Sequence, residues 1–151
     1  MADLVRSDDL GPAARRILAG VRDRLAPLLP AHELVLTGGT SVPGALTKGD
    51  VDLHLRVAAT DFAATVEVLR GLYPVVHPEI WQDTLATFEV PAALPTGIAV
   101  TPIGSPHDVR FRRGWERVRS DPRLLAEYNA LKTAGGDYEA RKSAFFDRLV
   151  S

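Results

Sequence analysis

The sequence contains no cysteine, which excludes disulfide bonds, zinc–thiolate sites and cysteine nucleophiles. It also has no excess of either charge: 18 Lys and Arg residues face 19 Asp and Glu residues, for a formal net charge of -1 at pH 7. Such a chain has no overall field to attract nucleic acid or an anionic membrane. No apolar run approaches the length of a membrane span, and the first nine residues are acidic and unlike a signal peptide. We therefore expect a cytoplasmic protein with no membrane partner, and we do not expect nucleic acid as a partner.

The composition is that of an ordinary globular protein. Of the 151 residues, 46% are hydrophobic and 25% are charged, and a chain of this size forms a sufficient core without disulfides or metals. We expect a single domain over residues 1–151, with a C-terminal helical segment at about 109–150.

The apolar periodicity alternates between helical and strand spacing along the chain. It predicts, in order, a helix, two strands separated by a turn, a helix, a two-stranded hairpin and a series of helices. The predicted helices cover 10–29, 60–72, 109–119, 121–135 and 138–149, and the predicted strands cover 33–37, 50–57, 84–90 and 97–103. This order predicts an α+β fold, with a small mixed β-sheet and helices packed on one side of it.

Residues 34–55 carry the pattern with the clearest chemical meaning. A buried strand leads into the turn Gly38-Gly39-Thr40-Ser41, and the next strand opens with Asp50 and Asp52. Residues at i and i+2 of a strand share a face, so both carboxylates project to the same side. Carboxylates are hard ligands suited to Mg²⁺, and amides in a tight turn bind phosphates. The pattern therefore favours a site for a metal-bound polyphosphate.

Each of these features also has a purely structural interpretation. Two glycines often mark a simple turn, and alternating aspartates often form a solvated strand face. Lys48 fits an ordinary loop, and the basic run 110–119 fits a solvated helix face with salt bridges as well as a nucleic-acid patch. His54 fits either a group that supports a metal ligand or a satisfied core histidine. Trp115 fits either the core or a stacking platform for a base.

Two motifs together resemble a known family. A Gly-Gly turn followed by the Asp50-Val51-Asp52 strand resembles the signature of the DNA polymerase β-like nucleotidyltransferases. Within that superfamily, the run Gly39-Thr40-Ser41-Val42-Pro43-Gly44 resembles the hallmark of the GrpB family. The segments Arg119-Ser120-Asp121-Pro122 and Glu127-Tyr128-Asn129-Ala130-Leu131-Lys132 resemble the GrpB ending. The resemblance implies a nucleotidyltransferase-like fold.

The sequence departs from the family pattern at two places. Typical GrpB sequences have Pro and an apolar residue where this chain has Gly49 and Asp50, so here both carboxylates of the wider superfamily are present. The later strand lacks the His-x-His that GrpB members often carry. Ala99 or Thr101 would lie near the third carboxylate of active nucleotidyltransferases, and neither is acidic. Glu89, on the partner strand, is the nearest candidate for this third carboxylate or for a general base.

The resemblance implies transfer of a nucleotidyl group from a nucleoside triphosphate to an unidentified acceptor, with Mg²⁺ or Mn²⁺ as cofactor. In this interpretation Asp50 and Asp52 are the metal ligands and, with Glu89, the catalytic residues. The nucleotide and phosphate contacts are Gly38, Gly39, Thr40, Ser41, Lys48, Tyr128 and Lys132, with Arg110, Arg112 and Arg113 as further sources of positive charge.

Two other functions remain open at this point. One is a binding module that keeps the fold and the phosphate site but has no turnover, because the third carboxylate is missing. The other is an interaction partner, such as a toxin–antitoxin component of the minimal nucleotidyltransferase type. The direction of Glu89 discriminates between the transferase and the binding module, because a catalytic carboxylate must face Asp50 and Asp52.

Overall fold

The computed structural model of the protein describes residues 4–134 and 136–150. Three residues of the acidic N-terminal segment, 1–3, lie outside this part, as do residue 151 and Gly135, where the fourth predicted helix was expected to end. Among the described residues, no helix is both long and apolar enough to cross a membrane.

Every predicted helix and strand is present, with ends shifted by a few residues. The third helix begins three residues before its predicted start because the Ser105 hydroxyl accepts a hydrogen bond from the amide of Asp108, and Pro106 occupies the first helical position. The elements are β1 (Val5–Arg6), α1 (Ser7–Leu25), β2 (His32–Thr37), a 3₁₀ turn (Gly39–Ser41), β3 (Leu46–Thr47), β4 (Val51–Val57), α2 (Phe62–Arg70), β5 (Ala86–Val90), β6 (Thr96–Pro102), α3 (Pro106–Ser120), α4 (Pro122–Thr133) and α5 (Tyr138–Val150).

The sheet has four strands in the order β2-β4-β6-β5. Strands β4 and β6 are parallel, whereas β2 and β5 are antiparallel to their neighbours, so the predicted mixed sheet and the predicted hairpin are confirmed. One row of paired residues crosses the whole sheet: Thr37 pairs with Asp52, Asp52 with Gly97, and Gly97 with Glu89. A short ribbon of β1 and β3, which the sequence pattern did not predict, lies beside the sheet.

The apolar side chains form two separate clusters. The larger one packs α1 and α2 against one face of the sheet, with Leu53, Leu55 and Phe88 among its fully buried members. The smaller one joins α3, α4 and α5 to the segment after the 3₁₀ turn, around Tyr128 and Phe145. The predicted packing of helices on one side of the sheet is therefore observed for α1 and α2.

Helix α3 additionally covers half of the opposite, polar face. The buried carboxylate of Asp108, near the start of α3, accepts hydrogen bonds from Nε and Nη2 of Arg56 at 2.5 and 3.0 Å. His54, the neighbour of Arg56 on the same face, contacts Phe111 of α3 edge to face. The other half of this face, around Asp52, is left open, and the candidate site lies there.

Candidate functional site

The acidic pair lies against the turn, as the sequence pattern requires. Asp50 directly precedes β4 and Asp52 is its second residue. Gly38, at the end of β2, has a φ of +71°, and a Cβ atom there would lie 2.3 Å from Oδ2 of Asp52. Only glycine therefore fits this position, both for its backbone angle and for the space that the carboxylate takes.

Burial and the neighbouring Asp50 both disfavour the charged form of Asp52. Burial and then the negative charge of Asp50 raise the pKa of Asp52 from 3.8 to about 6, although Lys142, Lys48 and Lys132 oppose the shift. The Nζ atom of Lys48 lies 3.9 Å from Oδ2 of Asp50. The site therefore holds concentrated negative charge beside several cationic groups.

The 3₁₀ turn is fixed by its own hydroxyl groups. The buried hydroxyl of Thr40 donates to the backbone carbonyl of Asp50 at 2.5 Å and lies 3.2 Å from the hydroxyl of Thr47. The hydroxyl of Ser41 donates to the carbonyl of Gly38 at 2.6 Å and accepts from Nη2 of Arg119 at 3.2 Å. Thr40 and Ser41 thus hold the turn and the loop that carries Asp50.

Two tyrosines and two lysines of α4 and α5 lie near the acidic pair, and of these only Lys142 lines the cavity. Tyr128 is buried, and a Cβ atom at Gly39 would lie 2.9 Å from its hydroxyl. Burial raises the pKa of Tyr128, so its phenol stays protonated at neutral pH. The Nζ atom of Lys132 lies 4.6 Å from the ring centre of Tyr138, and that of Lys142 lies 5.8 Å from it. These contacts place both ammonium groups over one aromatic face.

Glu89 faces the same cavity as the acidic pair. It is exposed, and it is separated from Asp52 only by Gly97, which has no side chain to fill the space between them. The described residues contain no group of three or more His, Asp or Glu side chains close enough together to hold a metal ion. Glu89 therefore shares the cavity without completing a three-carboxylate cluster in this conformation.

The cavity has a volume of about 650 Å³, within the range of small-molecule sites. Its floor is the open face of β4, β6 and β5. Its walls come from the segment 76–80 on one side and from Phe111, Trp115 and Lys142 on the other.

Several predicted or considered residues lie away from the cavity or have structural roles. Arg110 pairs with Asp147 and donates to the carbonyl of Ser143 at 3.0 Å, while Arg112 and Arg113 are exposed on α3. His54 is buried and its Nε2 lies 2.8 Å from the hydroxyl of Thr101; burial lowers its pKa to about 4, which leaves the ring neutral. This favours the core interpretation of that histidine.

Sequence analysis missed Lys142 and Asn129. Lys142 lies four residues after Tyr138, and this spacing places the two side chains on one helix face. The spacing could have indicated from the sequence that Lys142 lies beside Tyr138. Asn129 bridges distant segments, because its amide accepts from the backbone of Leu46 at 2.8 Å and donates to the carbonyl of Gly44 at 3.0 Å. No local pattern indicates such a contact.

Comparisons with known proteins find one similar curated protein and several solved structures with a similar fold. No protein-family model matches the chain. A UPF0157 protein of Vibrio cholerae serotype O1 is 25% identical over 153 residues, which cover 96% of this chain and 80% of the relative. The crystal structure of the conserved protein GrpB from Enterococcus faecalis superposes with a TM-score of 0.71 at 16% identity, covering 97% of this chain and 94% of that one.

Two further solved structures are similar over most of this chain. The Cid1 poly(U) polymerase with MgGTP bound matches with a TM-score of 0.60 at 17% identity, over 85% of this chain and 43% of its own. The GLD-2/RNP-8 complex matches with a TM-score of 0.56 at 14% identity, over 85% and 49%. The predicted resemblance is confirmed at the level of the fold, and this chain spans less than half of either of these two chains.

Proposed function

We propose that this GrpB-like chain, which has the fold of the DNA polymerase β-like nucleotidyltransferases, transfers a nucleotidyl group from a nucleoside triphosphate to an acceptor in a divalent-metal-dependent reaction. The observation that carries the proposal is the contact between Gly38 and Asp52, with Asp50 beside them. It joins a phosphate-binding type of turn to a metal-binding type of carboxylate pair in one open cavity.

The carboxylate pair fits a divalent cation. Asp50 and Asp52 offer hard oxygen ligands, and both line the open cavity. Burial and then the charge of Asp50 raise the pKa of Asp52, and a bound cation would offset both effects. Mg²⁺ held there supplies positive charge to the phosphate oxygens.

The other residues of the site position the triphosphate and neutralise its charge, as is general for phosphoryl transfer. The amides of Gly39 and Thr40 begin the 3₁₀ turn and bind the β- and γ-phosphates, while the Thr40 and Ser41 hydroxyls keep the turn rigid. Lys48, Lys132 and Lys142 offset the charge of the triphosphate. Buried Tyr128 sets the distance between the turn and α4.

One observation favours a second candidate function, a nucleotide-binding module without turnover. Gly97 occupies the position beside Asp52 on the neighbouring strand, and no three-carboxylate cluster is formed among the residues described. In that case the chain binds the nucleotide and metal but releases no pyrophosphate.

Thermal unfolding with ATP, with and without Mg²⁺, tests the shared part of both functions. Ligand at 100 times its Kd stabilises by about 2.7 kcal/mol, which raises the Tm of a chain of this size by roughly 5–10 °C. We expect this increase to require Mg²⁺ and to be lost in Asp52→Asn. The exposed Asp23→Asn on α1 is the matched control and should keep the full shift.

Pyrophosphate release then separates the two candidates. Pyrophosphate release that is lost in Asp52→Asn supports the transferase. A full Mg²⁺-dependent increase in Tm without pyrophosphate release, whichever acceptor is added, supports the binding module. An absence of any shift at millimolar concentrations of all four common nucleoside triphosphates would reject both.

A further inference from the structure

The cavity has two chemically different ends on opposite sides of Asp52. On the β2 side lie Gly38 and Lys142 of α5, and Lys132 of α4, which does not line the cavity, is close enough to Asp52 to affect its charge. On the β5 side lie Glu89 and the side chains of Val76 and Ile80. Because the strand order is β2-β4-β6-β5, these two ends are separated by the width of two strands.

Reaction geometry assigns a role to each end. In nucleotidyl transfer the entering oxygen and the leaving pyrophosphate lie roughly in line on opposite sides of the α-phosphorus. If the pyrophosphate is held by the turn and the lysines, the acceptor enters from the β5 end. Gly97 keeps this approach open, since a Cβ atom there would meet nothing nearer than the carbonyl of Phe88 at 3.7 Å.

The β5 end is apolar and carries one free carboxylate. Val76 is half-buried, and Ile80 is 46% exposed although it is a large apolar side chain. The carboxylate of Glu89 makes no hydrogen bond or ion pair with any residue of the described part of the chain. Lys142 is the only lysine or arginine among the described residues that line the cavity, and it belongs to the phosphate end.

This chemistry does not fit a nucleic-acid strand. Proteins that hold a strand use a basic groove along its phosphates and aromatic platforms for successive bases. The β5 end instead offers apolar contacts, a carboxylate and His77, whose φ of +48° is the only positive value among the non-glycine residues described. Backbone conformations of this kind are concentrated at binding sites.

We infer that the acceptor is a small molecule with a hydroxyl group on an apolar body, bound between the segment 76–80 and Glu89. The inference rests on the proposed transferase function. The hydroxyl proton passes to the Glu89 carboxylate, and the oxygen forms a bond to the α-phosphorus. The bond from that phosphorus to the oxygen bridging to the β-phosphate breaks, and pyrophosphate leaves with the electron pair.

The test uses the full chain with the uncleavable analogue α,β-methylene-ATP and Mg²⁺, with benzyl alcohol as the acceptor probe. Methyl NMR spectra report on Val76 and Ile80. We expect benzyl alcohol to shift these methyl signals when the analogue is bound, and a ten-nucleotide uridine oligomer to leave them unchanged. Shifts caused by the oligomer alone would overturn the inference in favour of a nucleic-acid acceptor.

Two exposed isoleucines provide a matched pair of variants. Ile80→Asn should raise the Kd of benzyl alcohol at least fivefold without changing the affinity for the analogue. Ile103→Asn, at a 51% exposed position after β6 that does not line the cavity, should leave both affinities unchanged. Equal effects of the two variants would contradict binding at the β5 end.

Turnover provides the last readout. With ATP in place of the analogue, benzyl alcohol should increase pyrophosphate release, and Glu89→Gln should lower that rate by about 10²–10⁴-fold while the Kd of the alcohol changes less than twofold. If the analogue binds but the alcohol neither shifts the methyl signals nor increases release, the inference is wrong while the proposed function stands. If the analogue itself does not bind, the proposed function is wrong.

Discussion

Asp52 shows the conflict between folding and function at the scale of one residue. Its carboxylate is largely buried beside Asp50, and Gly38 lies directly against Oδ2. A raised carboxyl pKa means that the folded chain binds a proton more tightly than the unfolded chain. The metal-free protein therefore loses stability as Asp52 ionises. Polar sites that are kept for binding are commonly stabilised by substitution at the expense of activity.

We predict that Asp52→Asn stabilises the metal-free protein at neutral pH. The pKa of Asp52 rises from 3.8 to about 6 on folding, so its favourable contribution is full below pH 4 and is lost as the pH rises through about 6. In EDTA, we expect the variant to exceed the wild type by about 1–2 kcal/mol at pH 7.5, after allowance for screening. The difference should shrink towards pH 4.

Urea denaturation at several pH values measures this difference. Asp23→Asn, at an exposed position, should show no such pH-dependent gain. A loss of stability in Asp52→Asn at pH 7.5 would mean that favourable contacts of the Asp52 carboxylate outweigh the unfavourable effects of burial and of the Asp50 charge.

At the scale of the element, the crossing of α3 and α5 depends on one small residue. Gly114 is buried in α3, and a Cβ atom there would lie 2.6 Å from Cδ1 of Phe146. Phe146 is itself buried against Trp115, with ring centres 4.7 Å apart, so its ring has little room to move. Glycine in a helix normally costs stability, and here it permits close packing.

We predict that Gly114→Ala destabilises the protein by about 1–3 kcal/mol through overpacking. Gly20→Ala in α1 is the matched control. A Cβ atom there meets nothing within 4 Å, so the variant should gain about 0.4–1 kcal/mol from helix propensity. Opposite signs in the free energy of unfolding, measured in urea, would support the packing argument, and a gain in both variants would refute it.

At the scale of the whole molecule, the cavity lies between two apolar clusters. The sheet cluster carries Asp50, Asp52 and Glu89, whereas the helical cluster carries Lys132 and Lys142. Asn129 fastens α4 to the segment that leads from the 3₁₀ turn to β4, by bonding to the backbone at Gly44 and Leu46. Since the site takes groups from both, its geometry depends on how firmly the helices dock.

We predict that Asn129→Ala lowers the free energy of unfolding by about 1–3 kcal/mol, because it leaves a partly buried amide and carbonyl without partners. It should also weaken the ATP-dependent thermal shift, because Lys132 follows Asn129 on α4. Gln82→Ala, at an exposed position, is the control for loss of a side-chain amide. An unchanged thermal shift in Asn129→Ala would show that the lysines are positioned independently of this link.

Much of the fold follows from patterns that are local in the sequence. The spacing of apolar residues predicted β2, β4 and the β5–β6 hairpin, because side-chain period is a property of each strand alone. The ribbon of β1 and β3 was missed because two-residue strands have no period to read. The prediction that α3 begins at Val109 was wrong by three residues, since Ser105 and Pro106 form a cap that apolar spacing does not reveal.

The sequence by itself determined that Asp50 and Asp52 lie close together at the start of β4 and follow a Gly-Gly turn, because backbone geometry sets the relative positions of residues that are close in the chain. Only the tertiary structure decided that Gly97 leaves open space between Asp52 and Glu89, and that Lys142 reaches the same cavity from α5. Strand register and helix docking arise from packing between distant segments, and no short-range pattern encodes them. The role of Glu89 as the base stays a prediction.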